Sequence, residues 1–209
     1  MKGDRTRQSI LGRAVDLASL EGLEGLTIGR LAEDLGMSKS GLFAHFGSKE
    51  ELQLATIEAA RDVYLAEVFR PALDAERGYP RLIAICRAWL AYVKRGVFPG
   101  GCFFAAASFE FDGRPGPVRD AIAKIMDDWM LAIVKAIRMA QEEGHLQPID
   151  PEQLAFEINS LFFGANFAYH LRRDRKALDR AMKGIEDRLE ALRATHTSLS
   201  RRSGRGAIR

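Results

Sequence analysis

Between residues 27 and 52 the stretch TIGRLAEDLGMSKSGLFAHFGSKEEL sets hydroxyls, ammonium groups and an imidazole at close spacing: Thr27, Ser38, Lys39, Ser40, His45, Ser48 and Lys49. Such side chains donate hydrogen bonds to phosphate oxygens and base edges. They do not make a catalytic set. His45, His145, His170 and His196 are scattered, with no H-x-x-x-H or H-E-x-x-H spacing, and Cys86 and Cys102 form no C-x-x-C. A nucleophile elbow G-x-S-x-G and a phosphate loop G-x-x-x-x-G-K are both missing; Gly96, Gly100 and Gly101 cluster without the lysine such a loop needs. The reading is a non-enzyme with no metal and no cofactor.

Two short helices and the start of a third must position these groups. Ile28, Leu31, Ala32 and Leu35 fall at i, i+3, i+4 and i+7, the apolar face of a helix over 28–35. Thr27 is placed to cap it and Gly36 to end it. Ser38 can cap a helix over 39–45, with Met37 and Leu42 at the spacing of a hydrophobic staple. Leu42, Phe43 and Phe46 are its expected buried side; Ser38, Lys39, Ser40, Gly41, Ala44 and His45 are its small, polar outer side. Ser48-Lys49-Glu50-Glu51 reads as a capping box opening the next helix. A short helix with a small polar face, held at a tight turn, fits a DNA major groove.

At these residues the chain resembles the TetR/AcrR family of bacterial transcriptional regulators. Thr27, Ala32, Gly36, the run Ser38 to Phe43, His45-Phe46 and Ser48-Lys49-Glu50 stand in register with that family's signature. Two positions depart from it: Phe43 stands where the family commonly has tyrosine, and Gly47 where proline is frequent. The resemblance implies a DNA-binding role for Thr27, Ser38, Lys39, Ser40, Gly41, Leu42, Phe43, His45 and Lys49. Lys39, Ser40 and Gly41 would lie nearest the base edges, while Thr27, His45 and Lys49 would position the head on phosphates. A basic arm, Arg5 and Arg7, would reach further along the backbone. The partner it implies is a double-stranded DNA operator.

Charge is distributed unevenly. The chain of 209 residues carries +3, but residues 193–209 hold five arginines and no acid, which leaves the remainder at −2. Residues 1–50 balance seven bases against seven acids. DNA affinity therefore has to come from where charges sit. No apolar run approaches a membrane-spanning length, and the charged start MKGDRTRQSI has no apolar core of a secretory signal. The expectation is a cytoplasmic chain without a membrane partner. Cys86 and Cys102 are then expected to be small core residues.

Beyond the head, apolar residues recur at helical spacing and nothing alternates as a strand would. The pattern predicts an all-α fold of about nine helices: a helix-turn-helix head at 1–50, a larger helical effector-binding and dimerisation domain at 51–195, and a basic, disordered tail at 196–209. The first helix is expected at 5–22. A long helix from Ser48 should end near Phe69, before Pro71. In the last helix, expected from about Arg175 to Arg193, Leu178, Met182, Ile185, Leu189 and Leu192 are spaced 4, 3, 4, 3, a heptad-like stripe. The preceding helix, from Asp150 to about Arg172, is apolar nearly all round, so both of its faces should be covered. With a two-fold DNA site in view, these two helices are expected to form a homodimer interface. The alternative is that both stripes pack inside one chain.

The middle of the sequence is rich in aromatics. Most belong to a filled core, but the resemblance implies a small-molecule site among the helices after the head. Phe104, Trp129, Phe163 and Asn166 are the expected lining, and their apolar character suits a small hydrophobic effector. The function expected is a homodimeric repressor released from its operator by that effector; a constitutive DNA-binding protein without ligand control is the alternative.

Overall fold

A computed structural model describes residues 2–193, so the expected tail at 196–209 lies outside the described residues. The architecture is all helical: α1 Lys2–Glu21, α2 Ile28–Leu35, α3 Lys39–Phe46, α4 Lys49–Tyr64, a π-helical segment Leu65–Phe69, α5 Arg70–Leu73, α6 Tyr79–Arg95, α7 Phe103–Phe111, α8 Pro117–Glu142, α9 Pro151–His170 and α10 Ala177–Ala191. Taken as one bent helix, 49–73 brings the described helices to the nine expected. None is long and apolar enough to cross a membrane.

α1, α2 and α3 make the head, closed by Ile10, Ala14, Leu31, Leu42 and Phe46. α4 carries buried Leu52, Ile57 and Ala60 against α1 and runs on into the body to pack on α8. A boundary at residue 50 therefore falls in the first turn of a helix that serves both units. In the body α8 and α9 pack side by side, α10 covers α9, and α6 lies against α8. Trp89, Tyr92, Phe103, Phe104, Trp129 and Phe162 fill the space between them.

Three expectations change. Pro71 does not stop the long helix; it enters at the second position of α5. Proline has no N–H to give to the preceding turn, and here that turn is the wider π form, in which the Arg70 N–H reaches back to the Leu65 carbonyl. Phe43 is not on the buried side of α3 but 55 % exposed. The α10 stripe is internal: Leu178, Ile185, Leu189 and Leu192 are buried against the chain's own helices. Within the single chain α9 is covered on one face by α8 and α10, and Phe156, Leu161 and Phe167 on the other remain exposed. Smaller shifts are at ends: α1 spans Lys2–Glu21, closed by Gly22 at φ +88°, and α10 starts at Ala177. Both cysteines are buried and unbonded, and burial pushes the Cys86 thiol up to about 12.

Candidate nucleic-acid interface and the cavity behind it

The caps read from sequence hold the turn. The Thr27 hydroxyl accepts the Arg30 N–H at 3.1 Å, and Ser38 Oγ accepts the Gly41 N–H at 3.1 Å. Between them Gly36 sits in the left-handed region at φ +62° and returns its N–H to α2. Leu42 and Phe46 are the buried anchors of α3. Leu42 is wholly buried and so cannot touch DNA; its part is to hold the helix. Ser38, Lys39, Ser40 and Phe43 are exposed, and Gly41 and His45 half-buried. The stem of Lys39 runs across Gly29 of α2, where an added methyl would lie 3.4 Å from Cε and 3.9 Å from the Thr27 hydroxyl. Thr27 and Lys39 are thus brought together on one edge of the motif.

Two arginine–carboxylate pairs lie beside the motif. Arg13 forms a two-pronged pair with Asp34 at 2.5 and 2.9 Å, and Arg30 does the same with Glu21 at 2.9 and 2.5 Å. These pairs join acids of α1 and α2, and Lys39 on α3 has no acidic partner among the described residues. Arg7 lies over the Phe46 ring at 5.1 Å, which sets the basic arm beside the end of α3. Lys49 is not free as the phosphate role expects. Its ammonium binds Glu24 at 2.7 Å, and this bond holds the Glu24 carboxyl below its ordinary range.

Behind the head, three of the four expected lining residues converge. Phe104, Trp129 and Phe163 surround a tight internal space with Tyr64, Trp89 and Asn159. Its free volume is about 10 Å³, scarcely that of one water. Asn166 is elsewhere: its Oδ1 accepts the Cys102 N–H at 3.2 Å and ties α9 to the start of α7. The polar group at the space is Asn159, which accepts from Trp129 Nε1 at 3.0 Å. A second, open cavity of about 340 Å³ shares Tyr64, Ile125 and Trp129 with it and adds Arg61, Leu65, Phe69 and Asp128. Sequence reading missed Arg61, Tyr64, Leu65 and Phe69 because α4 looked like a connector. Proline at 71, so soon after Phe69, was the signal that this stretch is irregular.

Two contacts clamp head to body. Glu110 at the end of α7 accepts the backbone N–H of Leu23 at 2.8 Å and of Glu24 at 3.0 Å. Gly100 lies so close to α1 that an added methyl would stand 1.6 Å from the Ser19 carbonyl oxygen.

With this geometry in hand, the chain was compared with known proteins. Residues 10–56 match the profile of bacterial regulatory proteins of the tetR family, and residues 78–185 match the tetracyclin repressor-like C-terminal domain. The chain belongs to the TetR family. A TetR-family chain from Chloroflexus aurantiacus, a transcriptional regulator, has the same fold with a TM-score of 0.86 at 23% identity, covering 93% of this chain and 99% of that one. The HTH-type transcriptional regulator TcmR of Streptomyces glaucescens is 28% identical over 147 residues, which are 69% of this chain and 58% of TcmR's own length. AibR, solved in complex with isovaleryl coenzyme A and operator DNA, superposes with a TM-score of 0.67 at 23% identity, covering 89% of this chain and 97% of AibR. Membership makes α2 and α3 the helix-turn-helix of a transcriptional regulator.

Proposed function

We propose that this TetR-family regulator is a homodimeric repressor whose hold on its operator is released by a small hydrophobic effector. The carrying observation is the shared helix. α4 starts two residues after the recognition helix α3 and supplies Arg61 and Tyr64 to the cavity. An occupant that parts Tyr64 from Trp129 moves α4, and α4 moves the head. The lining of Tyr64, Leu65, Phe69, Ile125 and Trp129 suits an apolar or aromatic molecule. AibR, with its bound acyl thioester and operator, supports the same division of labour. On this reading residues 1–50 are the DNA unit and 51–195 the effector and dimerisation unit, joined through α4.

On DNA, α3 enters a major groove with Lys39, Ser40 and Gly41 toward base edges, and Phe43 exposed beside them. Thr27, Ser38 and His45 face phosphates. One such helix reads few base pairs, so a two-fold operator calls for two copies. The exposed row Phe156, Leu161, Phe167 and Leu171 on α9 supports a dimer seam there. Gly164 on the same face has nothing within 4 Å of an added methyl, which leaves room for a partner helix. α10 contributes its outer side and not its apolar stripe.

Release is a population shift: the effector must bind the form with wrongly spaced heads more tightly than the DNA-bound form. Gel-shift titration of the protein on its own upstream intergenic DNA and on a scrambled duplex tests the reading. A preference of about a thousandfold, relieved by a ligand of the cavity, is expected. Equal binding to both duplexes overturns operator recognition, and a tight cavity ligand that leaves operator affinity unchanged overturns effector control.

A further inference from the structure

The body has a second opening that shares no lining residue with the aromatic cavity. It lies between the end of α6, the loop 96–101 and the end of α9, and holds about 740 Å³. Lys94, Arg95, Arg173, Arg175 and His170 line it, with no acid. Arg95 pairs with Glu67 outside the cleft. Lys94, Arg173 and Arg175 have no acidic partner among the described residues, and the nearby Asp174 is taken by Arg180. Two helices end here, and their C-terminal dipoles offset about half a charge each. That accounts for less than the four cations present.

Arg173 closes the end of α9, where the Asp174 N–H returns to the Ala168 carbonyl at 3.1 Å. Arg173 is held at φ +56°, and among the described residues it is the one non-glycine in the left-handed region. His170 Nε2 is buried without a hydrogen-bond partner, pressed under Gly101, where an added methyl would sit 2.9 Å from that nitrogen. Arg173, by its charge, and burial together lower the His170 pKa, burial first. Like-charged groups have thus been gathered in a concave site.

We propose that this cleft binds a small solute bearing one or more phosphate groups, with Lys94, Arg173 and Arg175 as its charged partners. Two guanidinium forks and an ammonium match phosphate oxygens. A DNA phosphate is the poorer fit. The loop 96–101 rests on Ser19, twelve residues along α1 from Arg7, which packs on the end of α3. At 1.5 Å per residue that is roughly 18 Å from the recognition helix. The ligand would bear on the head by another route than the aromatic cavity, through Gly100 and Ser19.

Calorimetric titration of the full chain with inorganic pyrophosphate at constant ionic strength tests this. One saturable site per chain is expected. Arg173→Gln with Arg175→Gln should weaken it at least about tenfold, since each removes a charge-assisted hydrogen bond. Arg201→Gln with Arg202→Gln makes the same charge change in the tail and should leave binding intact. In the wild-type protein the His170 ring proton resonances should shift along the same titration, a readout independent of how the variants fold. Absence of saturable binding below the millimolar range, equal weakening by the tail variant, or an unmoved His170 overturns the proposal. Sedimentation with phosphatidylglycerol vesicles that depends on Arg173 and Arg175, without pyrophosphate binding, would assign the cleft to a lipid surface and overturn the free-solute reading.

Discussion

On the proposed reading affinity turns on Lys39, the cation on the outer face of α3 that pairs with no acid among the described residues. Lys39→Ala should weaken operator binding by about tenfold to a hundredfold in gel-shift titrations, with the thermal melt unchanged. Phe43→Tyr should do the reverse. The ring is 55 % exposed, and a hydroxyl there adds one phosphate hydrogen bond, about 1 kcal/mol. Lys49 belongs to the fold more than to the groove, and its effect depends on pH. Glu24 has its pKa lowered by Lys49 below the ordinary 4.5. Stability from the pair is present above that value and is lost as pH falls through the folded value. The gap in urea stability between wild type and Lys49→Gln should therefore be present at pH 7 and shrink as the pH falls below 4.5 through the folded value. Sequence made the caps at Thr27 and Ser38 legible, because capping is a local property of a few adjacent residues. The Lys49–Glu24 pair was not, since it joins side chains 25 positions apart.

At the scale of elements, α4 decides what the head can feel and α7 decides how firmly it is held. Glu110→Gln keeps the shape but leaves one acceptor oxygen, so one of the two backbone N–H groups of Leu23 and Glu24 loses its partner and faces an amide NH2. A loss of about 2 kcal/mol in urea unfolding is expected, with operator binding less responsive to any cavity ligand. Gly100→Ala should cost at least as much, because a methyl cannot occupy space 1.6 Å from a carbonyl oxygen. Periodicity revealed nearly every helix, because one apolar stripe per helix is what a helical core demands. It misjudged α10, because a heptad-like stripe looks the same whether it meets another chain or its own α9. It also misjudged the stop at Pro71, since a π turn has no sequence pattern of its own. Of the four expected lining residues Trp129 alone reaches the open cavity, and Phe104 and Phe163 stand at the tight space beside it. Asn166 was not separable from Asn159 without knowing which side of α9 faces α8.

For the whole molecule, the proposed dimer rests on the apolar surface left on α9. Phe156→Glu with Phe167→Glu puts charge on two exposed rings that make little of the chain's own core. The protein should stay folded by circular dichroism, run as a monomer in light scattering, and lose most of its affinity for a two-fold operator while keeping that for a half-site. A variant that remains dimeric would move the seam off α9. The two units are also one mechanical body, since α4, Glu110 and Gly100 join them at three places. Unfolding in urea followed at the head and at the body should give one transition, and Gly100→Ala should split it.

The chain has two tryptophans, and both stand in the wall of the inner cavity. Trp129 also lines the open cavity proposed for the effector, while Trp89 stands behind it. A molecule that enters alters the polarity around Trp129 and separates it from Tyr64. Intrinsic fluorescence then becomes a label-free gauge of occupancy, with no background from tryptophans elsewhere. A compound library can be screened by emission colour and intensity before any operator is known.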